Sequence, residues 1–177
     1  KKRIELLKQK ADVYLINYEL LPWLRNLKSR EYMDSGKQPF AGLKSLVFDE
    51  VSMMKSTGAK RFRAIRPFLK NIPRRLGLTG TPTGNSLLNL FGEAYAVAGD
   101  APFGNSFMWF KSEYFYPVDR DQFIWRPKAD AKNRIMARLK PYCASIPIKA
   151  QEVKHNTITV TLPSAARRTY RELEKEF

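Results

Sequence analysis

The spacing of apolar positions changes period several times along this chain, and each change marks an expected element. Residues 3–10 (RIELLKQK) have the spacing of a helix near its end. Asp12 then opens onto Val13-Tyr14-Leu15-Ile16-Asn17-Tyr18, a β-branched and aromatic run that predicts a strand. Residues 19–30 predict a helix, and 34–42 (DSGKQPFAG) carry turn chemistry. A second strand is expected at Ser45-Leu46-Val47-Phe48, running straight into Asp49-Glu50. A basic helix follows over about 58–70, stopped near Pro67, and a third short strand at Arg75–Leu78 ends in Thr79-Gly80-Thr81-Pro82. Strands alternating with helices predict an α/β domain with a largely parallel sheet.

Beyond residue 86 the pattern turns helical, with stretches at 86–98, 103–115 and 130–142 and a Pro-rich, aromatic connector between the last two. Alternation returns at Thr157–Leu162, followed by a charged helix over 164–177. The expected organisation is part of an α/β layer, a helical excursion and a return. No internal repeat or low-complexity tract interrupts it.

Charge adds a partner to this picture. Lys and Arg number 32 against 17 Asp and Glu, a formal charge of +15, while 44% apolar residues leave ample material for a core. Such an excess points to a polyanion or to a domain of opposite sign. One cysteine (Cys143) excludes a disulfide framework, and one histidine (His155) excludes a zinc constellation. No apolar run approaches membrane-spanning length. The opening Lys1-Lys2-Arg3-Ile4-Glu5 has neither an initiator Met nor a signal-peptide core, which suggests a piece of something longer.

Two strand ends carry unusual residues, and open parallel sheets bind ligands at such ends. In Leu46-Val47-Phe48-Asp49-Glu50, one carboxylate could hold Mg²⁺ while the next polarises a water for attack on a phosphate. A solvated acidic turn would look the same. In Gly77-Leu78-Thr79-Gly80-Thr81-Pro82-Thr83-Gly84-Asn85, small residues permit close backbone approach, hydroxyls supply hydrogen bonds, and Asn85 suits a helix cap. A plain strand-to-helix turn is the alternative.

Their order is more specific than either alone. Val13–Glu19 (VYLINYE), Asp49–Lys55 (DEVSMMK), Leu78–Asn85 (LTGTPTGN) and Val160–Tyr170 (VTLPSAARRTY) together resemble the Swi/Snf-type branch of the second helicase superfamily, most closely its compact phage versions. The resemblance implies a partial P-loop NTPase lobe of RecA-like fold with a helical protrusion. Its expected parts are 1–85 with the DEVS and LTGTP motifs, 86–150 as the protrusion, and 151–177 as a return strand and helix. It also implies a DEAD/DEAH-like ATP hydrolase that moves on double-stranded DNA without sequence preference, uses ATP and Mg²⁺, works with a second RecA-like lobe and no membrane, and acts in the cytoplasm. Asp49 then matches the Mg²⁺-associated aspartate and Glu50 the water-activating glutamate. Ser52, Lys55, Thr79, Gly80, Thr81 and Asn85 fall in the coupling motifs, and Tyr18 and Glu19 lie near a DNA-facing strand end. Ser52 replaces the histidine of the D-E-x-H pattern, and Ala144-Ser145-Ile146-Pro147 replaces an Arg-rich signature. No G-x-x-x-x-G-K-[ST] occurs, since Gly36-Lys37 is followed by Gln38, so these residues alone are expected to be inactive.

From Val51 to Gly92 there is no acidic residue, while Lys and Arg accumulate. Phe62, Ile65 and Leu69 fall at helical spacing, which leaves Lys60, Arg61, Arg63 and Arg66 mostly outward as candidate phosphate contacts. The aromatics Phe103, Phe107, Trp109, Phe110, Tyr114, Phe115 and Tyr116 could stack on bases, but spacings of three and four favour a packed helix face. Trp125-Arg126-Pro127 carries no functional signal. The competing readings are a non-catalytic basic nucleic-acid-binding module of RecA-like shape and a nuclease built on Asp49 and Glu50.

Overall fold

The computed structural model describes residues 2–27, 42–80, 86–121, 123–146, 158–159 and 161–174. Its chain forms two compact units, Lys1–Ala144 and Ser145–Phe177. The described residues are mixed α/β, with seven α-helices and two small sheets.

The first unit is built outward from a parallel pair, β1 (Ser45–Phe48) and β2 (Arg74–Gly77), in the register Phe48↔Gly77. Parallel strands need a crossover, and α3 (Lys60–Leu69) supplies it. One face of this helix, Phe62, Ala64, Ile65 and Leu69, is buried with Leu21, Phe48, Val51, Met54 and Ala96 in a first core.

The expected stop at Pro67 does not occur, because the helix runs through it to Leu69. A proline at position 67 cannot donate to the carbonyl four residues back. That carbonyl, of Arg63, instead accepts a hydrogen bond from Arg25 Nη1 at 2.6 Å. Arg25 ends α2 (Leu21–Arg25), so a neighbouring helix satisfies the group that the proline leaves unpaired. The guanidinium of Arg75 works similarly. It donates to Val97 O at 2.8 Å and to Leu69 O, capping carbonyls in the last turns of two helices.

The expected strand at 13–18 is absent. Residues 12–17 form no ladder, Leu15 is 95% exposed, and Tyr18–Leu20 form a 3₁₀ turn leading into α2. An extended segment becomes a strand only where a neighbouring strand takes its backbone groups, and none among the described residues does. Helix α1 (Lys2–Lys8) instead contributes Ile4 and Leu7 to a small cluster with Trp23, Leu24 and Leu27.

Helix α4 (Leu90–Ala98) joins the first core to a second. Its Ala96 lies in the first, while Leu90 and Phe91 belong to the second with Phe103, Phe110, Tyr114, Phe115, Ala131, Ile135 and Leu139. The last seven come from the 99–106 loop, α5 (Phe107–Tyr114), β3 (Phe115–Pro117) and α6 (Ala131–Leu139). Ring centroids 4.8–5.3 Å apart link Phe91 and Phe103 to Phe110 and Phe110 to Tyr114, so these aromatics are core, as their spacing predicts, whereas Trp109 and Tyr116 of the same run are exposed. The connector between α5 and α6 is an antiparallel hairpin of β3 and β4 (Trp125–Pro127), for which the sequence pattern gives no signal.

In the second unit, α7 (Ser164–Glu174) forms where a charged helix is expected, with Arg168 paired to Glu172 at 3.2 Å. Residues 158–159 and 161–163 form no strand, contrary to the expected alternation there.

The contact between α4 and the turn after β1 depends on a missing side chain. A Cβ at Gly92 would stand 2.3 Å from Met54 O and 2.7 Å from Lys55 O. Alanine normally favours a helix interior over glycine by about 1 kcal/mol. Here Gly92→Ala is expected to reverse that sign and cost about 3 kcal/mol or more, because backbone oxygens must move to admit the methyl. Urea unfolding of the two proteins checks it, and an unchanged or higher midpoint would contradict the close approach.

Candidate functional site

The chain turns sharply as it leaves β1. Glu50 adopts a left-handed backbone (φ 59, ψ 68), the one such non-glycine residue described. This conformation costs roughly 1–2 kcal/mol outside glycine, so the surroundings must hold it. Val51 N donates to Leu78 O at 2.8 Å, Leu78 N donates to Phe48 O at 2.9 Å, and Met53 N donates to Glu50 O at 3.0 Å. Tyr18 Oη donates to Asp49 O at 2.7 Å. Burial, and then the charges of Asp49 and Glu50, push the Tyr18 phenol up to about 12, so it remains a donor. Tyr18 thus braces the acidic turn from the first core, which it packs against.

The turn brings two separate sequence motifs onto one atom. Glu50 Oε1 accepts the Ser52 hydroxyl at 2.5 Å and the Thr79 hydroxyl at 3.2 Å. Ser52 is thereby engaged where the motif usually has histidine. Asp49 and Glu50 are exposed, so the carboxylates face solvent at the carboxyl end of β1. The expected pair of strand ends is therefore adjacent in space. Gly80 also lies at this end, where a Cβ would meet open space among the described residues. Thr81 and Asn85 lie outside the described residues.

A carboxylate that no sequence motif singles out completes the neighbourhood. Glu93 is only 6% exposed, the one charged side chain that the described fold buries. Gly92 presses its helix onto the backbone of Met54 and Lys55 and so brings Glu93 in beside the turn. Desolvation raises its pKa to about 7 against the opposing pull of Lys55, and Glu50 adds to the rise. Its one sequence signal is position: Glu93 ends the acid-free stretch that starts at Val51.

The basic helix divides its cations. Lys60 and Arg63 are exposed. Arg61 turns back to donate to Met53 O at 2.6 Å, so it is not on the outward face that the spacing suggests. Arg66 donates to Asn105 O at 2.8 Å and lies over the Tyr95 ring at 4.8 Å. Exposed Arg25 stands with Lys60 and Arg63 around a shallow depression between α2 and α3, which sequence spacing does not reveal because the two helices are distant in the chain.

Hard oxygen donors at Asp49 and Glu50 suit Mg²⁺, which commonly takes one or two carboxylates and completes its shell with phosphate and water. Among the described residues no group of three or more His, Cys, Asp or Glu side chains could hold a metal alone. No described helix is long and apolar enough to cross a membrane.

Comparison with known proteins shows the family. The SNF2-related domain family matches residues 1–176, and the chain belongs to that family. Protein p41 of Acyrthosiphon pisum secondary endosymbiont phage 1 is 31% identical over 189 residues. The match covers 99% of this chain but 39% of p41, so the chain spans about two fifths of that relative. No solved structure matches.

Glu93 makes stability depend on pH with a definite sign. Because its folded pKa is raised from 4.5 to about 7, the folded chain holds the proton more tightly than the unfolded one. Its contribution is fully present below about pH 4.5 and is lost as pH rises through 7. Glu93→Gln removes that dependence, so the variant should gain on the parent across this window by no more than about 3 kcal/mol. Paired urea melts from pH 4.5 to 8 measure the difference; parallel curves would show that Glu93 does not titrate this way.

Proposed function

We propose that this chain is the later part of a RecA-like first lobe in a Swi/Snf-type motor, which couples ATP hydrolysis to movement on double-stranded DNA without sequence preference. The observation that carries the reading is the convergence of Ser52 and Thr79 on Glu50 Oε1, in a chain of the SNF2-related family. Two hydroxyls on one carboxylate oxygen orient the group and leave Oε2 to accept a proton from an attacking water. Asp49 would hold Mg²⁺, whose chemistry when bound is to neutralise charge on the phosphates. A shift in Thr79 changes the hydrogen bonding of Glu50 directly, which gives Thr79, Gly80 and Thr81 a route for coupling nucleic acid to hydrolysis. The cap of the helical turn that follows is Ser86, whose hydroxyl accepts Leu88 N at 3.2 Å, and not the expected Asn85. Asn85 would act in coupling only, and Lys55 through its backbone carbonyl, which lies where a Cβ on Gly92 would stand.

On this reading the loop that cradles phosphates, which has no counterpart in these 177 residues, and a second RecA-like lobe would be supplied from elsewhere. Lys60 and Arg63, with Arg25 beside them, are the phosphate contacts that the exposed basic face supports best. Arg61 and Arg66 would act mainly by holding the turn and the protrusion in place.

In the full-length protein, Glu50→Gln should lower ATP hydrolysis by about 10²–10⁴-fold with ATP affinity nearly unchanged, since it removes a base and leaves the binding groups in place. Asp49→Asn should also weaken Mg²⁺-dependent nucleotide binding. Hydrolysis at the parent rate by both variants would refute the assignment. DNA binding with no ATPase in the parent would favour the basic binding module instead.

The double substitution Lys60→Gln, Arg63→Gln should flatten the slope of log affinity against log salt by about 1.8, at about 0.9 for each duplex phosphate that is no longer neutralised. Salt titrations on unrelated duplex sequences check it. An unchanged slope would remove the duplex from this face.

A further inference from the structure

The hairpin of β3 and β4 presents an apolar surface that neither core uses. In its register Tyr116 pairs with Arg126, while Phe115, Pro117 and Trp125 lie on the opposite face. Phe115 is buried and Trp125 packs on the second core. Alternation continues past the strands, because Val118 N donates to Ile124 O at 2.9 Å. Tyr116, Val118, Ile124 and Arg126 therefore share the outward face. Ile124 is 60% exposed, and Phe123 at the tip is 84% exposed.

This surface is held out rather than left loose. The Asp119 carboxylate accepts the Ile124 amide at 2.7 Å and the Phe123 amide at 3.0 Å, fixing the backbone that carries the exposed ring. At the base, Lys128 Nζ donates to Ser112 O at 2.9 Å and Glu113 O at 2.8 Å, while Lys111 Nζ stands 4.2 Å over the Trp125 ring. A preformed hairpin loses little entropy on binding, so exposed apolar groups here favour a ligand over collapse. Charge selects the ligand. Arg120 and Arg126 are exposed on the hairpin, with Asp121 as the opposing exposed carboxylate, in a chain of net charge +15.

We propose that this hairpin is a second nucleic-acid contact, at which an unpaired base stacks on Phe123 while Arg120 and Arg126 hold the flanking phosphates. Stacking is indifferent to sequence because every base has a π-face, whereas a fully paired duplex offers no free base to Phe123. The hairpin would thus recognise single strands, frayed ends or forks, separately from the duplex contact at Lys60 and Arg63. The inference rests on the nucleic-acid reading above, and its test separates the two.

The test measures binding of full-length parent and variants to a blunt DNA duplex and to a forked duplex with unpaired arms, over a salt series. Phe123→Ala is expected to weaken fork binding by about 5–150-fold, the range for removing one stacked base, with blunt-duplex affinity and salt slope unchanged. Phe123→Trp should restore fork binding. Arg120→Gln with Arg126→Gln should flatten the fork slope by about 0.7 per phosphate, the single-strand value. The Phe123 ring is exposed, so thermal melts of all variants should coincide. Equal fork affinity for the parent and Phe123→Ala, with DNA binding intact, would overturn this inference alone and assign the apolar tip to a protein partner. Failure of the parent to bind either DNA would overturn both readings.

Discussion

The close approach of α4 to the turn that follows β1 is the constraint on which the rest of the first unit depends. It is possible because Gly92 has no Cβ: the nearest backbone oxygen occupies the space where one would stand. Gly77 plays a comparable part on β2, where a Cβ would fall 2.8 Å from Val97 and 2.9 Å from Val51. Together they draw helix, strand end and turn into one layer. That layer holds Glu50 in a backbone conformation it would not otherwise favour and seats Glu93 beside it. It also continues into the second core, since Phe91 and Tyr95 on the same helix contact each other and Phe91 meets Phe107 and Phe110. One short helix therefore packs against the acidic turn and contributes to both cores.

The arginines divide between two kinds of work. Arg25, Arg61, Arg66 and Arg75 each give hydrogen bonds to backbone carbonyls contributed by another segment. A guanidinium suits this because its donors point in fixed directions while its charge stays partly solvated. Arg25 offsets the proline in α3, and Arg75 closes the ends of two helices. Net charge consequently overstates the cations free to meet a polyanion, although Arg25 and Arg66 sit close enough to the surface to serve both roles. Lys60 and Arg63 remain the clearest outward pair.

The second core is legible from the spacing of its aromatics alone, yet its hairpin is not. Phe110 and Tyr114 recur at helical intervals, and a helix face with that many aromatics must be covered. Trp125-Arg126-Pro127 is three residues long, too short for alternation to show, and its strand exists because Phe115–Pro117 lies opposite to take its hydrogen bonds. The same dependence explains the missing strand at 13–18, where propensity is high and no partner is among the described residues.

The order of motifs, the α/β class, both strands of the parallel pair and the two acids at the end of β1 were determined by the sequence itself, because each follows from local spacing or from residue types in a row. Tertiary structure decided what those residues do to one another. Ser52 and Thr79 are 27 positions apart yet share one oxygen of Glu50, and Glu93, unremarkable in the chain, becomes the buried acid of the site. Pro67, expected to end a helix, sits inside one because Arg25 reaches the carbonyl it leaves unpaired. The physical reason is common to all three: hydrogen bonds and desolvation depend on distance in space, and only the folded backbone sets that distance.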